Sequence, residues 1–353
     1  MPQPHEIAAR ILDWEDNGPQ GPMTLELYPT LACNLDCTFC DTTDRHRPPV
    51  NELSTTRLLE IIDEAAKLGV QRLFLLGGGE PLTRKNATPA VMVRAKEHNM
   101  EGILTTNGTL LNGQIADTLL DIAWDEVHFS IDGPNPEIHD DLRGKRGAFK
   151  KTVQNACRLS VRKNQRGLTH PRIALHFVLT NKNHKTLTEM VNLAHAIGAF
   201  RIDFDALIAY TPEQQSLSLS ADQREEVPEI AFQAMHRAKE LGIETTLENF
   251  LSPEKLNRGH TELESPEGEG FKAAPCLKAW HYLVVQADGK SSPCCVLAGQ
   301  GGSAAEQSIE QLWLHDPFME RVRTGMLRGT PLNRCKECSW NILQHEALIR
   351  SHL

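Results

Sequence analysis

Long apolar runs are missing from this 353-residue sequence. No stretch of about 18 consecutive apolar residues occurs, which excludes a membrane-spanning helix of the usual kind. The first residues, MPQPHEIAARILDWEDNG, contain no basic-then-apolar leader, so a secretory signal is not expected and a reducing cytoplasm is the expected setting. A basic tail or stripe is also missing. The 37 Lys and Arg against 46 Asp and Glu leave a net charge of −9, and a nucleic-acid backbone is therefore not an expected partner. There is no low-complexity tract, and 40% apolar with 24% charged residues excludes a disordered chain. An even cysteine count is missing too. Nine cysteines in a reducing compartment argue against a disulfide scaffold and for metal sites.

What is present is an alternation. Strand-like runs at 23–28, 72–77, 102–107, 126–131, 172–180 and 201–208 are separated by helical patterns at 54–69, 88–99, 112–123, 148–164 and 184–198. Six apolar strands with five intervening helices read as successive βα units around a parallel sheet. Ser54 supplies a helix start and Gly69 a stop. In an open or a barrel-like sheet alike, functional groups belong where strands end and loops begin. The alternation stops after Tyr210. A polar linker, a helix near 222–241 and a short strand near 243–249 lead into 252–270, whose Gly, Pro and Glu content marks a boundary or a lid at the mouth of the sheet. The expected divisions are an extension (1–22), a core (23–210), a linker, helix and lid (211–270) and a cysteine-rich region (271–353).

Eight of the nine cysteines fall in two groups. Cys33, Cys37 and Cys40 follow the first strand within eight residues, and three thiolates so spaced wrap one face of a soft metal centre. An iron-sulfur cubane with one open iron, or zinc with a histidine, both answer to that spacing. Gly77, Gly78, Gly79 and Glu80 follow the second strand. The glycines allow close backbone approach to a ligand, and Glu80 can accept from an ammonium group. Asn107 closes the third strand in TTNG. Ser130 and Asp132 end the fourth, pointing the same way by the two-residue period. Arg143 follows in HDDLRG and is suited to pair with a carboxylate; an exposed helix-end arginine is the plainer reading. One ligand pocket over the strand ends would unite these groups.

In this order the segments resemble the radical S-adenosylmethionine (SAM) enzymes. Cys33, Cys37 and Cys40 match the family's CxxxCxxC without gaps, Gly78–Glu80 resembles the segment holding the methionine amino group, Ser130–Gly133 the part contacting SAM, and Arg143 the residue approaching its carboxylate. The resemblance covers about residues 23–208 and implies an α/β fold, a partial (β/α)6 TIM-like barrel. It further implies a [4Fe-4S] cluster on the three cysteines, chelated by SAM, and reductive cleavage to a 5′-deoxyadenosyl radical that abstracts a substrate hydrogen. A flavodoxin- or ferredoxin-like protein is the implied electron donor.

A second resemblance covers the C-terminal region. Cys276, Gly289, Cys294 and the pair Cys335 and Cys338 look like the cysteine-rich SPASM extension, a small α+β iron-sulfur domain. The cysteines that would complete a further cluster are absent after Cys338, so the resemblance implies a single auxiliary [4Fe-4S] cluster on Cys276, Cys294, Cys335 and Cys338. Cys295 is the alternative to Cys294, and zinc remains open on local spacing alone. Cys157 reads as a small buried hydrophobe. Trp280, Trp313, Trp340 and Tyr282 read as packing around this region.

A fully cysteine-ligated auxiliary cluster suits electron acceptance, so the expected reaction is a two-electron oxidation of a small polar substrate such as a sugar or aminocyclitol alcohol. The short extension before the first strand, too short for a leader-peptide module, favours that over peptide modification. Peptide cross-linking, redox-neutral sugar epimerisation and a non-catalytic electron relay are the alternatives. The expected proton acceptor is His176 on the fifth strand, or Asp203 or Asp205 on the sixth; a carboxylate on the last strand is preferred.

Overall fold

The computed structural model describes residues 3–40, 51–256, 261–262, 266–338 and 340–353, and at 254, 255, 261, 262, 336, 337, 340 and 341 the backbone alone. After helix α1 (Pro4–Asn17), six strands succeed one another: β1 (Thr24–Leu27), β2 (Arg72–Leu75), β3 (Glu101–Thr106), β4 (Glu126–Ser130), β5 (Arg172–Leu179) and β6 (Arg201–Ala206). Each pairs in parallel with the next. The crossovers carry α2 (Thr55–Lys67), α3 (Ala87–Glu97), α4 (Gly113–Asp121), α5 (Pro136–Leu142), α6 (Ala148–Gln165) and α7 (Leu187–Ile197). Beyond them come α8 (Pro212–Gln215), α9 (Ala221–Leu241), β7 (Glu244–Thr245), β8 (Thr261–Glu262), β9 (Tyr282–Val285), β10 (Ser291–Ser292), α10 (Ile309–Leu314), α11 (Pro317–Leu327), β11 (Glu337–Cys338) and α12 (Trp340–Arg350).

The main sheet runs β10-β9-β1-β2-β3-β4-β5-β6-β7 and does not close. Its six central strands and their helices are the parallel βα units that the alternation implies, and they form the partial barrel that the resemblance implies. Two features lie outside that expectation. Strand β9 comes from the cysteine-rich region and pairs in parallel with β1, Thr24 opposite Tyr282 and Leu27 opposite Val285, so the C-terminal region is built onto the edge of the barrel sheet. Helix α5 is only seven residues long and opens on Pro136, which hides it from any periodicity search; Asn135 caps it by accepting from Ile138 N at 3.0 Å.

Local signals act as the sequence suggests. Ser54 Oγ accepts from Arg57 N at 3.1 Å to start α2, and Gly69 takes a φ of 81° just beyond its end. The pleat then sorts side chains to two faces. Leu25, Leu27, Leu73, Leu75, Leu104, Val127, Phe129, Leu175, Phe177, Ile202 and Phe204 share one face and belong to the continuous hydrophobic core. The other face carries Glu26, Arg72, Glu126, His128, Ser130, His176, Arg201, Asp203 and Asp205, a polar lining that no alternation argument could orient beforehand. At Gly102 an added Cβ would come within 2.3 Å of the fully buried Trp124 ring, which fixes glycine there.

Of the 252–270 stretch, from which a lid is expected, positions 257–260 and 263–265 lie outside the described residues. Strand β8 within it pairs antiparallel with β11, Thr261 opposite Cys338. Among the described residues no helix is long and apolar enough to cross a membrane.

Candidate functional site

The loops leaving the C-terminal ends of β1 to β4 are laced into one rim. The loop after β1 carries Cys33, exposed, Cys37, buried, and Cys40, half-buried. It is tied to the loop after β2 by Gly79 N donating to Thr30 O at 2.9 Å and Glu80 N to Ala32 O at 2.8 Å. Asn34 joins it to the end of β3, accepting from Asn107 Nδ2 at 3.0 Å and donating to Thr109 Oγ1 at 2.8 Å. Asp36 N and Thr38 N reach the backbone of Arg143 and Leu142 after β4, at 3.1 and 2.9 Å. The glycine run serves this crossing: a Cβ on Gly79 would lie 2.1 Å from Ala32 O. The close approach that the sequence reading assigned to a ligand is made first by the cysteine loop itself.

Burial pushes the Cys33 thiol up to about 11 and raises Cys37 as well, with the neighbouring thiols adding like-charge repulsion. Thiols so placed ionise only with a cation to compensate them, and a bound metal group supplies one. Among the described residues no three Cys, His, Asp or Glu side chains are gathered tightly enough to share one metal ion.

Glu80 is 2% exposed and its carboxylate is held by the protein. Oε1 accepts from Leu82 N at 3.0 Å and Thr106 Oγ1 at 2.7 Å, and Oε2 from Asn107 N at 2.7 Å. Burial raises its pKa against these three hydrogen bonds. A carboxylate offers about four acceptor sites, so one direction remains for a ligand.

Asp132 is fully buried. Its Oδ1 accepts from Val178 N at 2.9 Å, and its Oδ2 lies 2.5 Å from Arg143 Nε. Each oxygen thus has one protein partner in place. Arg143, itself 8% exposed, turns Nη1 to within 3.8 Å of Cys37 Sγ and stacks 5.3 Å from the Phe39 ring centroid. The salt bridge carries a cation to the buried thiol. Burial, and then the Arg143 charge, lower the neighbouring His139 to about 4 against the opposing charge of Asp132.

Ser130, His176 and Asp203 lie side by side across β4, β5 and β6 on the polar face. His176 Nε2 is 2.9 Å from Asp205 Oδ2. Burial opposes a charge on this imidazole, but the Asp205 hydrogen bond and charge prevail and its pKa is raised. Asp203 is committed elsewhere, to Arg201 Nε at 3.1 Å. Below them Glu126 joins Arg172, Arg201 and His128; burial works against its charge, yet these partners hold its pKa at about 2. Of the three expected proton acceptors, the structure links two in one pair and ties the third to an arginine.

In the C-terminal region Cys276, Cys294, Cys335 and Cys338 line one small cavity with Lys278 and apolar side chains including Val322 and Met326. Cys295 is exposed and is not part of that lining. Burial drives Cys294 up to about 12 and Cys335 to about 11, and lifts Cys276 well above its ordinary value. Four such thiols facing one cavity suit a metal group better than four free cysteines. Trp280 and Trp313 are buried in the core, Trp313 donating Nε1–H to Gln20 O at 2.6 Å; the Trp340 side chain lies outside the described residues. Cys157 packs half-buried against the core. Sequence reasoning missed the Tyr282 hydroxyl, which donates to Glu26 on β1 and joins the two regions. Within TTNG it singled out Asn107 and not Thr106, and it passed over Asn34, to which only its position between the cysteines could have drawn attention.

The profile of the radical SAM superfamily matches residues 27–194, and that of the SPASM iron-sulfur cluster-binding domain matches 276–339. An AdoMet-dependent heme synthase of Methanosarcina barkeri is 27% identical over 300 residues, covering 83% of this chain and 82% of the relative. A PqqA peptide cyclase of Granulibacter bethesdensis is 26% identical over 327 residues, 90% of this chain and 81% of the relative. Among solved structures, Streptococcus suis SuiB bound to S-adenosylmethionine shares the fold with a TM-score of 0.69 at 17% identity, over 94% of this chain and 75% of that one.

Proposed function

Because this chain is a radical SAM enzyme with a C-terminal SPASM domain, we propose that it oxidises a peptide-borne substrate by two electrons, taking from it one hydrogen atom, one proton and one further electron. The observation that carries this reading is that both cysteine groups adjoin β1: one occupies the loop leaving its end, and the other belongs to the region whose β9 pairs along its edge. Cys33, Cys37 and Cys40 would hold the SAM-binding [4Fe-4S] cluster, and Cys276, Cys294, Cys335 and Cys338 the auxiliary one. When bound, the first cluster with SAM supplies a hydrogen-abstracting 5′-deoxyadenosyl radical, and the second an acceptor for one electron. The peptide cyclase aligned over 90% of the chain supports a peptide as the substrate. The sugar or aminocyclitol first expected gains no support from these relatives, and the heme synthase points to a tetrapyrrole as the second reading.

The chain's own groups have separable tasks in this reading. Glu80 clamps the cysteine loop to β3 and offers its remaining acceptor site to the SAM ammonium. Asn107 and Ser130 stand at neighbouring strand ends and complete the rim around that ligand. Arg143, locked by Asp132, balances charge at Cys37 and presents its outer guanidinium edge to the SAM carboxylate. His176, held by Asp205, accepts the proton that the substrate releases.

Two outcomes follow. Glu80→Gln removes the charge and leaves Asn107 N–H facing an amide, and a charge-assisted hydrogen bond is worth ~1.5–3 kcal/mol. SAM binding, followed by calorimetry, should weaken roughly tenfold or more with iron content near normal; unchanged affinity would place the ligand elsewhere. For His176 to accept a proton it must be neutral, so the rate rises with pH through a pKa raised above its usual value. Asp205→Asn removes the raising charge and should move that limb down by about one pH unit. A limb that stays in place would remove His176 from the role. The substrate class is tested by 5′-deoxyadenosine release on offering synthetic peptides, porphyrins and aminocyclitols to the reduced protein; acceleration by aminocyclitols alone would defeat the peptide reading.

A further inference from the structure

The cavity that gathers the four C-terminal cysteines has a lysine on its wall. Lys278 follows Cys276 by two residues, and its Nζ sits 3.9 Å from the centroid of the Tyr282 ring. The Tyr282 hydroxyl in turn donates to Glu26 on β1, so this ammonium lies between the cavity and the polar face of the barrel. A carboxylate faces the same segment from α12. Glu346 is fully buried and accepts from Leu277 N at 2.6 Å. Its other oxygen lies 3.5 Å from His281 Nε2 and 3.8 Å from His345 Nδ1. The Glu346 charge acts on both Lys278 and Cys276. One cation and one anion therefore bear on the stretch that supplies the first thiol of the site.

We infer that Lys278 and Glu346 set the reduction potential of the group held by Cys276, Cys294, Cys335 and Cys338, in opposite senses. The inference rests on the reading above that this site takes an electron. A cluster held by four thiolates gains negative charge on reduction. A fixed ammonium on the cavity wall stabilises the reduced form and raises the potential, whereas a buried carboxylate lowers it. The apolar lining leaves little solvent to screen either charge. Lysine keeps its charge throughout the neutral range. Burial costs Glu346 its charge in principle, but His281, His345 and Lys278 outweigh that and hold its pKa well below the usual carboxylate range. The pair thus gives the second site a poise that its thiolates alone would not have, and Lys278 places the positive end toward the barrel.

The test is a potentiometric titration followed by electron paramagnetic resonance. It uses the full chain bearing Cys33, Cys37 and Cys40→Ala, so that only the second site contributes iron. Lys278→Met should shift the oxidised-to-reduced ratio at a given potential at least tenfold toward the oxidised form, a fall of 59 mV for one electron. Glu346→Gln keeps the acceptor for Leu277 N–H and should shift the ratio tenfold the other way. Lys278→Arg should restore the potential of the unsubstituted site. Potentials unchanged in both variants, or moved in the same direction, would overturn the inference while leaving the two-cluster reading intact. If Lys278→Met loses its iron, Glu346→Gln decides alone by the sign of its shift. Absence of iron at the second site before any Lys278 or Glu346 substitution would instead refute the proposed function, and this inference with it.

Discussion

Replacing Cys33, Cys37 and Cys40 together by Ala is expected to abolish SAM cleavage and to halve the iron of the anaerobically reconstituted chain. Two cubane clusters bring about eight irons and eight sulfides, and the triple variant should retain about four of each. The loop holding these thiols is pinned through backbone and side-chain bonds of Thr30, Ala32, Asn34, Asp36 and Thr38, none of which the substitution touches. Its fold should therefore survive, and circular dichroism should show this. Cleavage is read as 5′-deoxyadenosine formed under dithionite, where the variant should give none above background. Loss of all the iron would show that the two sites do not load independently. Retained cleavage would remove these cysteines from the reaction.

The second large effect is expected at Asp132. Its carboxylate is fully buried between Arg143 Nε at 2.5 Å and Val178 N at 2.9 Å. Asp132→Ala leaves the Arg143 guanidinium buried with no carboxylate beside it, and breaking such a pair costs about 3–5 kcal/mol. Chemical denaturation should read that loss directly. Asp132→Asn keeps the acceptor for Val178 N–H and should lose less. The double variant Asp132→Ala, Arg143→Met should recover much of the stability, because the uncompensated charge goes with its partner. Its SAM binding should nevertheless stay weak, since Arg143 supplies charge at Cys37. Full recovery of both would confine Arg143 to a structural role.

Much of the fold was legible because the βα units are separated by strong signals. The six parallel strands fall within two residues of the apolar runs, and Ser54 and Gly69 bound α2 as their chemistry dictates. What escaped was of four kinds. Helix α5 is too short for a period. Strand β9 is ordinary in sequence, and its pairing with β1, more than 250 positions away, is decided by tertiary packing alone. Asp132 and Glu80 were legible as chemistry but not as partners: each was assigned to a ligand, and each is first held by the protein's own donors. The orientation of the β5 and β6 faces was likewise beyond a two-residue period, which sorts residues into faces without saying which one a core covers. The choice between Cys294 and Cys295, left open by their adjacency, is favoured toward Cys294 once a cavity is seen to include one and not the other.

The most direct test of the central claim, a net two-electron oxidation that needs the C-terminal cysteines, is the mass and stoichiometry of the product from a peptide found to raise 5′-deoxyadenosine release. The account predicts a product two mass units lighter than the substrate, with about one 5′-deoxyadenosine formed per product. Cys335→Ala with Cys338→Ala should form far less product while retaining most of the SAM cleavage. A product of unchanged mass that carries one solvent-derived hydrogen, formed equally well by the Cys335 and Cys338 variant, would contradict it.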